Sequence, residues 1–204
     1  ADNGLGVATI MAILESTDIP HPAIEALFTI DEETGMTGAL GLQGGYLDGE
    51  ILLNLDTEDD DEFSIGCAGG VDLTSTRTYS QEDASGTALK ISVKGLQGEH
   101  SGMQIHEGLG NANKLMNRIL HAAQKHMRIA SVMGGGLRNA IPRESVVVLA
   151  VKLSDMGLFS EELTKISTVL KTEFKTVEEK LAISTKEVES TDLAVEKEDA
   201  LKII

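Results

Sequence analysis

Asp2, the adjacent pair Glu32 and Glu33, and Asp56 are the residues whose type and spacing carry chemistry in this chain. Asp2 and the pair lie in turn-forming stretches, DNG and DEETG, while the pair and Asp56 each follow an apolar run, IEALFTI and EILLNL. This is the layout of carboxylates gathered at the ends of neighbouring strands. Carboxylates brought that close repel one another unless a cation sits between them. The chemistry expected is therefore hydrolysis assisted by divalent metal. None of the five histidines adjoins these acids. Taken singly, each motif has an ordinary structural reading: DNG starts a helix, EETG is a loop, and Asp56 is an acid at a strand end. Only the joint pattern favours a site.

Such a site needs elements to hold it. Residues 5–15 are apolar at most helical positions after an Asp-Asn-Gly start, which predicts a buried helix. Residues 24–30 and 50–55 predict buried strands, with a short helix over 36–43 between them. Strand, helix, strand with acids at the strand exits is how an α/β sheet presents a site at its carboxyl edge. The acidic run TEDDDEF reads as a solvated loop, and the small residues of 64–70 suit a tight crossing of backbones.

From about residue 71 the character changes. Residues 71–80 alternate like an exposed strand, SQEDASG is a turn, and ALKISVKGL alternates again. Ala112, Leu115, Met116, Ile119, Leu120 and Ala123 fall at helical spacing, predicting an amphipathic helix over 109–127. Strands are expected in 127–136 and 144–153, then a second long helix over about 160–182. The fold class expected is an α/β portion of a catalytic domain, residues 1–70, followed by an α+β domain, residues 71–204, a sheet with helices on one face. The charged tail after 184 is expected to order only with further sequence.

The composition narrows the partners. A net charge of −16 argues against nucleic acid or an anionic membrane surface. No stretch is long enough to span a membrane, no signal peptide opens the chain, and the single cysteine, Cys67, fits a reducing compartment, so a cytoplasmic location is expected. The absence of an initiator Met, the start inside a motif and the uncapped apolar end suggest an internal piece of a longer protein.

Seven separated stretches, ADNGLG (1–6), DEETGM (31–36), GALGLQGG (38–45), NLDTED (54–59), GCAGG (66–70), GEHSGMQIHEGLGNANK (98–114) and LRNAIPRE (137–144), come in the order found in one family. In them the chain resembles the aminoacyl-histidine dipeptidases, bacterial carnosinase-like enzymes of the co-catalytic zinc exopeptidases. The resemblance covers roughly residues 1–153. It implies that Asp2 bridges two metal ions, that Glu33 and Asp56 each ligate one of them, and that Glu32 is the general base. It places His100, in a smaller lid domain, on the oxyanion, and Asn139 and Arg143 as lid contacts to substrate. His106, His121 and His126 read as helix or loop residues.

The implied reaction is hydrolysis of Xaa-His dipeptides, and the implied cofactors are two divalent ions, zinc first, with cobalt or manganese as substitutes. Members of the family commonly dimerise, so a homodimer is the assembly the resemblance allows. The family also supplies a His-x-Asp segment and a later histidine ligand that these residues do not contain. The expectation is therefore weak zinc binding and little activity for this chain by itself, and a lid domain incomplete at its carboxyl end. The rival readings are a non-catalytic binding protein that keeps the fold and a calcium loop built on DTEDDDE. Retention of Glu32 argues against the first, and the second lacks the glycine-centred spacing of a calcium loop.

Overall fold

A computed structural model describes residues 3–56, 61–66, 69, 71 and 73–204. The chain divides into two compact units, residues 1–72 and 73–204.

In the first unit, helix α1 runs Gly4–Glu15 and the short α2 runs Thr37–Leu40. Asn3 caps α1, its side chain accepting the Gly6 amide at 2.9 Å, as a residue that starts a helix does. Three expectations need correction here. Helix α1 forms but is not buried: Leu5, Met11 and Leu14 are exposed, and Gly6 is its one buried residue. Residues 24–30 and 50–55 lie outside any strand. Both runs are apolar on successive residues, the pattern of a strand covered on both faces. Among the described residues this unit offers only α1 and α2 as cover, and Ile51, Leu52 and Leu53 are about four-fifths exposed. Glu25 in the first run instead accepts the Asp48 and Gly49 amides, just before the second run, at 2.9 and 2.7 Å.

The second unit contains strands β1 (Gln81–Asp83), β2 (Thr87–Lys94), β3 (Arg128–Gly134), β4 (Ser145–Val151), β5 (Ala182–Glu187) and β6 (Leu193–Val195). Its helices are α3 (Ala112–Ala123), α4 (Met156–Glu173) and α5 (Lys197–Ile203). Four strands form one antiparallel sheet in the order β3-β4-β2-β5, and β1 pairs with β6. Leu89, Ile91 and Val93 on β2 and Val147, Leu149 and Val151 on β4 share one face, two residues apart, and pack in one core with Leu115, Met116 and Ile119 of α3 and Phe159 and Leu170 of α4. An α+β sandwich with its helices on one face of the sheet results. Asn111 caps α3, accepting the Asn113 and Lys114 amides.

The sequence-based boundaries shift in three places. The strand expected over 71–80 is not formed among the described residues, and pairing begins at Gln81, inside the expected turn. The second long helix stops at Glu173, and a turn follows in which Glu178 donates its amide to the Phe174 carbonyl. The tail after 184 is ordered, supplying half of β5 and all of β6 and α5. Its β5 is an edge strand that ends on Lys186 and Glu187, charges that discourage pairing with another edge.

Arg118 on α3 and Glu173 on α4 join the two helices through two parallel bonds of 2.9 and 2.7 Å. Those bonds hold the Glu173 carboxyl below the usual carboxylate range and raise the Arg118 guanidinium. A carboxylate with a lowered folded-state value stabilises fully above its unfolded value, and that contribution disappears as pH falls through the lowered one. The unfolding midpoint of the second unit should therefore fall in acid more steeply in the native chain than in Arg118→Met. Thermal unfolding across a pH series measures this, and 1 M salt should narrow the gap.

Candidate active site

In the first unit a cleft of about 260 Å³ is lined by Thr29, Asp31, Glu32, Glu33, Thr34 and Asp56. Three of the sequence-predicted residues, Glu32, Glu33 and Asp56, thus share one cavity. Four of its six lining residues are acidic and, among the described residues lining it, none is cationic, so the cleft is a site of concentrated negative potential. Asp2 and Cys67 lie outside the described residues. Asn3 is described, and its amide Nδ2 donates to the Leu55 carbonyl at 2.8 Å, which fastens the start of α1 to the residue before Asp56.

Asp31, a residue the sequence reading passed over, shapes the acidic turn. Its φ is 63°, a left-handed conformation that aspartate tolerates better than most residues. Its carboxylate accepts the Thr34 hydroxyl and, at 2.8 Å, the Thr37 hydroxyl. Its carbonyl accepts the amides of Gly35 and Met36. Glu32 and Glu33 are thereby presented on a tight loop whose hydrogen bonds are made by their neighbour. Gly38 closes the arrangement: its amide donates to the Ile30 carbonyl, and a Cβ there would lie 2.6 Å from the Ile30 nitrogen. The signal for Asp31 was present in the sequence as an aspartate followed by threonines three and six residues on, the pattern of a side chain that bonds its own turn.

In the second unit the other predicted residues gather in two adjoining loops. His100 forms an isolated antiparallel bridge with Ala140. The Ser101 amide donates to the Asn139 carbonyl at 2.8 Å, and the Ile141 amide to the Glu99 carbonyl at 2.9 Å. Arg143 packs beside Gly98, where a Cβ would lie 2.9 Å from the arginine Cβ. His100, Asn139 and Arg143 are therefore neighbours, exposed to solvent. The His100 ring accepts the amides of Gly102 and Met103 at Nδ1, at 3.0 and 3.1 Å. An imidazole nitrogen that accepts carries no proton, so the ring proton sits on Nε2, which becomes a donor. Gln104 steadies the same loop by accepting the His100 amide at 2.8 Å.

Residues 91–178 match the peptidase dimerisation domain. The cytosol non-specific dipeptidase of Escherichia coli (strain K12) is 43% identical over 187 residues, covering 90% of this chain and 39% of that protein. The crystal structure of the aminoacylhistidine dipeptidase from Vibrio alginolyticus superposes with a TM-score of 0.68 at 36% identity, over 99% of this chain and 43% of that one. The chain is similar in sequence and structure to these dipeptidases, and the likeness to the peptidase dimerisation domain falls within residues 91–178. It spans about two fifths of each of these two relatives.

For a metal, the described residues offer only part of a ligand set. Among the described residues lining it, the cleft supplies carboxylate oxygens and no imidazole or thiolate. Among the described residues no group of three histidine, cysteine, aspartate or glutamate side chains converges closely enough to hold an ion. Zinc favours nitrogen and sulfur ligands in a closed tetrahedral set, so this donor set does not complete a zinc site. Among the described residues, no helix is long and apolar enough to cross a membrane.

The Asp31 turn generates a test. Asp31→Ala should speed amide exchange at Gly35 and Met36 and cost about 1 kcal/mol, the usual worth of such side-chain bonds. Asp31→Asn, which tolerates the same backbone and keeps an acceptor, should retain most of the protection.

Proposed function

We propose that the whole protein is a metal-dependent dipeptidase that hydrolyses Xaa-His-type dipeptides, with residues 1–70 part of its catalytic domain and residues 71–204 its lid. The observation that carries this reading is the single acidic cleft shared by Glu32, Glu33 and Asp56 in a chain 43% identical to a dipeptidase. Glu33 and Asp56, with Asp2, are the residues that would hold two divalent ions, zinc first and cobalt or manganese as substitutes, and such ions when bound make a shared water more acidic. Glu32 takes a proton from the attacking water and returns it to the leaving amine, the work of a general base turned acid. The Nε2 proton of His100 donates to the oxygen that gains charge as the carbonyl is attacked, worth about 3 kcal/mol for one well-aimed donor. Asn139 and Arg143, beside His100, contact the substrate from the same loops.

The reading also includes a cytoplasmic location, in keeping with the cytosolic relative, and a homodimer, supported by the match of residues 91–178 to the peptidase dimerisation domain. The net charge of −16 supports small dipeptides rather than nucleic acid as partners.

Release of histidine from Ala-His by the whole protein, with zinc, cobalt or manganese added, tests the activity, and no release with any of them would favour a non-catalytic binding protein instead. Glu32→Gln should lower kcat by about 10²–10⁴-fold, the usual contribution of general-base catalysis. His100→Ala should lower it by about 10²–10³-fold. Full turnover in either variant removes that residue's role. The 204-residue chain titrated with zinc should give no tight site, and two tight sites would overturn the account of its donor set.

A further inference from the structure

Glu178 is a carboxylate with no part in the proposed chemistry, and it is only 2% exposed. Burying an ionised carboxylate is costly unless hydrogen bonds replace the lost water. Two backbone amides do so. Gln97 N–H donates to Oε2 at 2.9 Å and Gly110 N–H donates to Oε1 at 2.8 Å. The carboxylate is held at its base by the turn after α4, since the Glu178 amide donates to the Phe174 carbonyl and its carbonyl accepts the Leu181 amide. The Gln97 side chain adds a bond to the Val177 carbonyl.

Gln97 and Gly110 bracket the loop that carries His100. That loop leaves the sheet after β2 and re-enters the core at α3. Its first turn is bonded to the 137–143 loop at Glu99, His100 and Ser101, but its two ends meet on one buried side chain from a distant part of the chain. Loops whose ends are close are compact and hold their tips in place, because the entropy of closing them has already been spent.

We propose that Glu178 is a positioning residue for His100: one carboxylate fastens both ends of the His100 loop and so fixes where the Nε2–H points. Its catalytic consequence rests on the reading of His100 as the oxyanion donor, whereas the loop closure rests on the hydrogen bonds alone.

Two measurements separate these. In the 204-residue chain, Glu178→Gln keeps one acceptor oxygen and puts an amide NH₂ against the other donor. Exchange of the Gly102 and Met103 amides should then rise about tenfold, the loss of one buried bond, while Ile91 and Leu149 in the sheet stay protected. The His100 ring should also lose its single Nε2–H form in nitrogen-15 spectra. In the whole protein, the same variant should lower kcat about tenfold with little change in KM. Unchanged exchange at Gly102 and Met103, or a rise matched by the sheet amides, would overturn the proposal. If His100→Ala leaves turnover intact while Glu178→Gln frees the loop, the oxyanion reading fails and the closure stands.

Discussion

Leu89 stands directly opposite Leu149, and Ile91 opposite Val147, in the antiparallel ladder at the middle of the larger sheet. Each of these side chains is buried on the face against which α3 and α4 are laid. Directly opposed apolar pairs on an antiparallel ladder are the unit from which a sheet draws its stability. Because the side-chain period of a strand is two, a slip of one residue would turn this whole set away from the helices. The register of β2 against β4 therefore decides where everything else in residues 73–204 stands. It sets the exit of β2 towards the His100 loop and the entry of β4 from the loop that carries Asn139 and Arg143. The two loops meet because the two strands that hold them are paired.

The acidic cleft is organised by a different means. No ladder of the described residues holds 24–30 and 50–55, so the work falls to side chains: Glu25 accepts the Asp48 and Gly49 amides, Asn3 donates to the Leu55 carbonyl, and the Asp31 carboxylate accepts the Thr34 and Thr37 hydroxyls. Such local bonds fix the direction of a loop at modest energetic weight, about 1 kcal/mol each. Four carboxylates facing one cavity oppose that arrangement by mutual repulsion. An unfavourable charge cluster held in place by several separate backbone contacts is the kind of local conflict that recurs at functional sites rather than in structural cores.

The parts of the fold that were legible in the sequence are those where burial follows a single period. Helix α3 lies within the predicted span because its six buried residues repeat at helical spacing; β4 lies within its span, and β2 begins one residue before its own, with core-facing residues alternating in both. Strand β5 was invisible: it is an edge, mostly exposed, so AISTKE carries no alternation to read. The end of α4 was overrun because Val177 and Leu181 continue the helical spacing although they lie in the turn beyond it. The apolar runs 24–30 and 50–55 misled in the opposite sense, since apolar character marks a segment that wants cover without saying that a neighbour pairs with it. At the candidate site, the acids were legible from their placement after those runs. Asp31 was marked by the threonines three and six residues on, whereas Gln104 and Glu178 were not marked, because each acts by accepting backbone amides, a role that composition and spacing scarcely show.

The larger sheet is assembled out of chain order. β2 is flanked by β4 on one side and by β5, about 95 residues further along, on the other. Contacts between distant stretches slow folding, because the intervening chain must be closed into a loop before any pairing repays that loss. On a ribosome adding residues from the amino end, β2 and β4 can pair and receive α3 while one flank of β2 still shows its bare amides and carbonyls. That flank stays open until β5 emerges, so the nascent chain passes through an interval in which β2 is an unprotected edge, the kind of surface that chaperones cover and that neighbouring chains on the same message can capture.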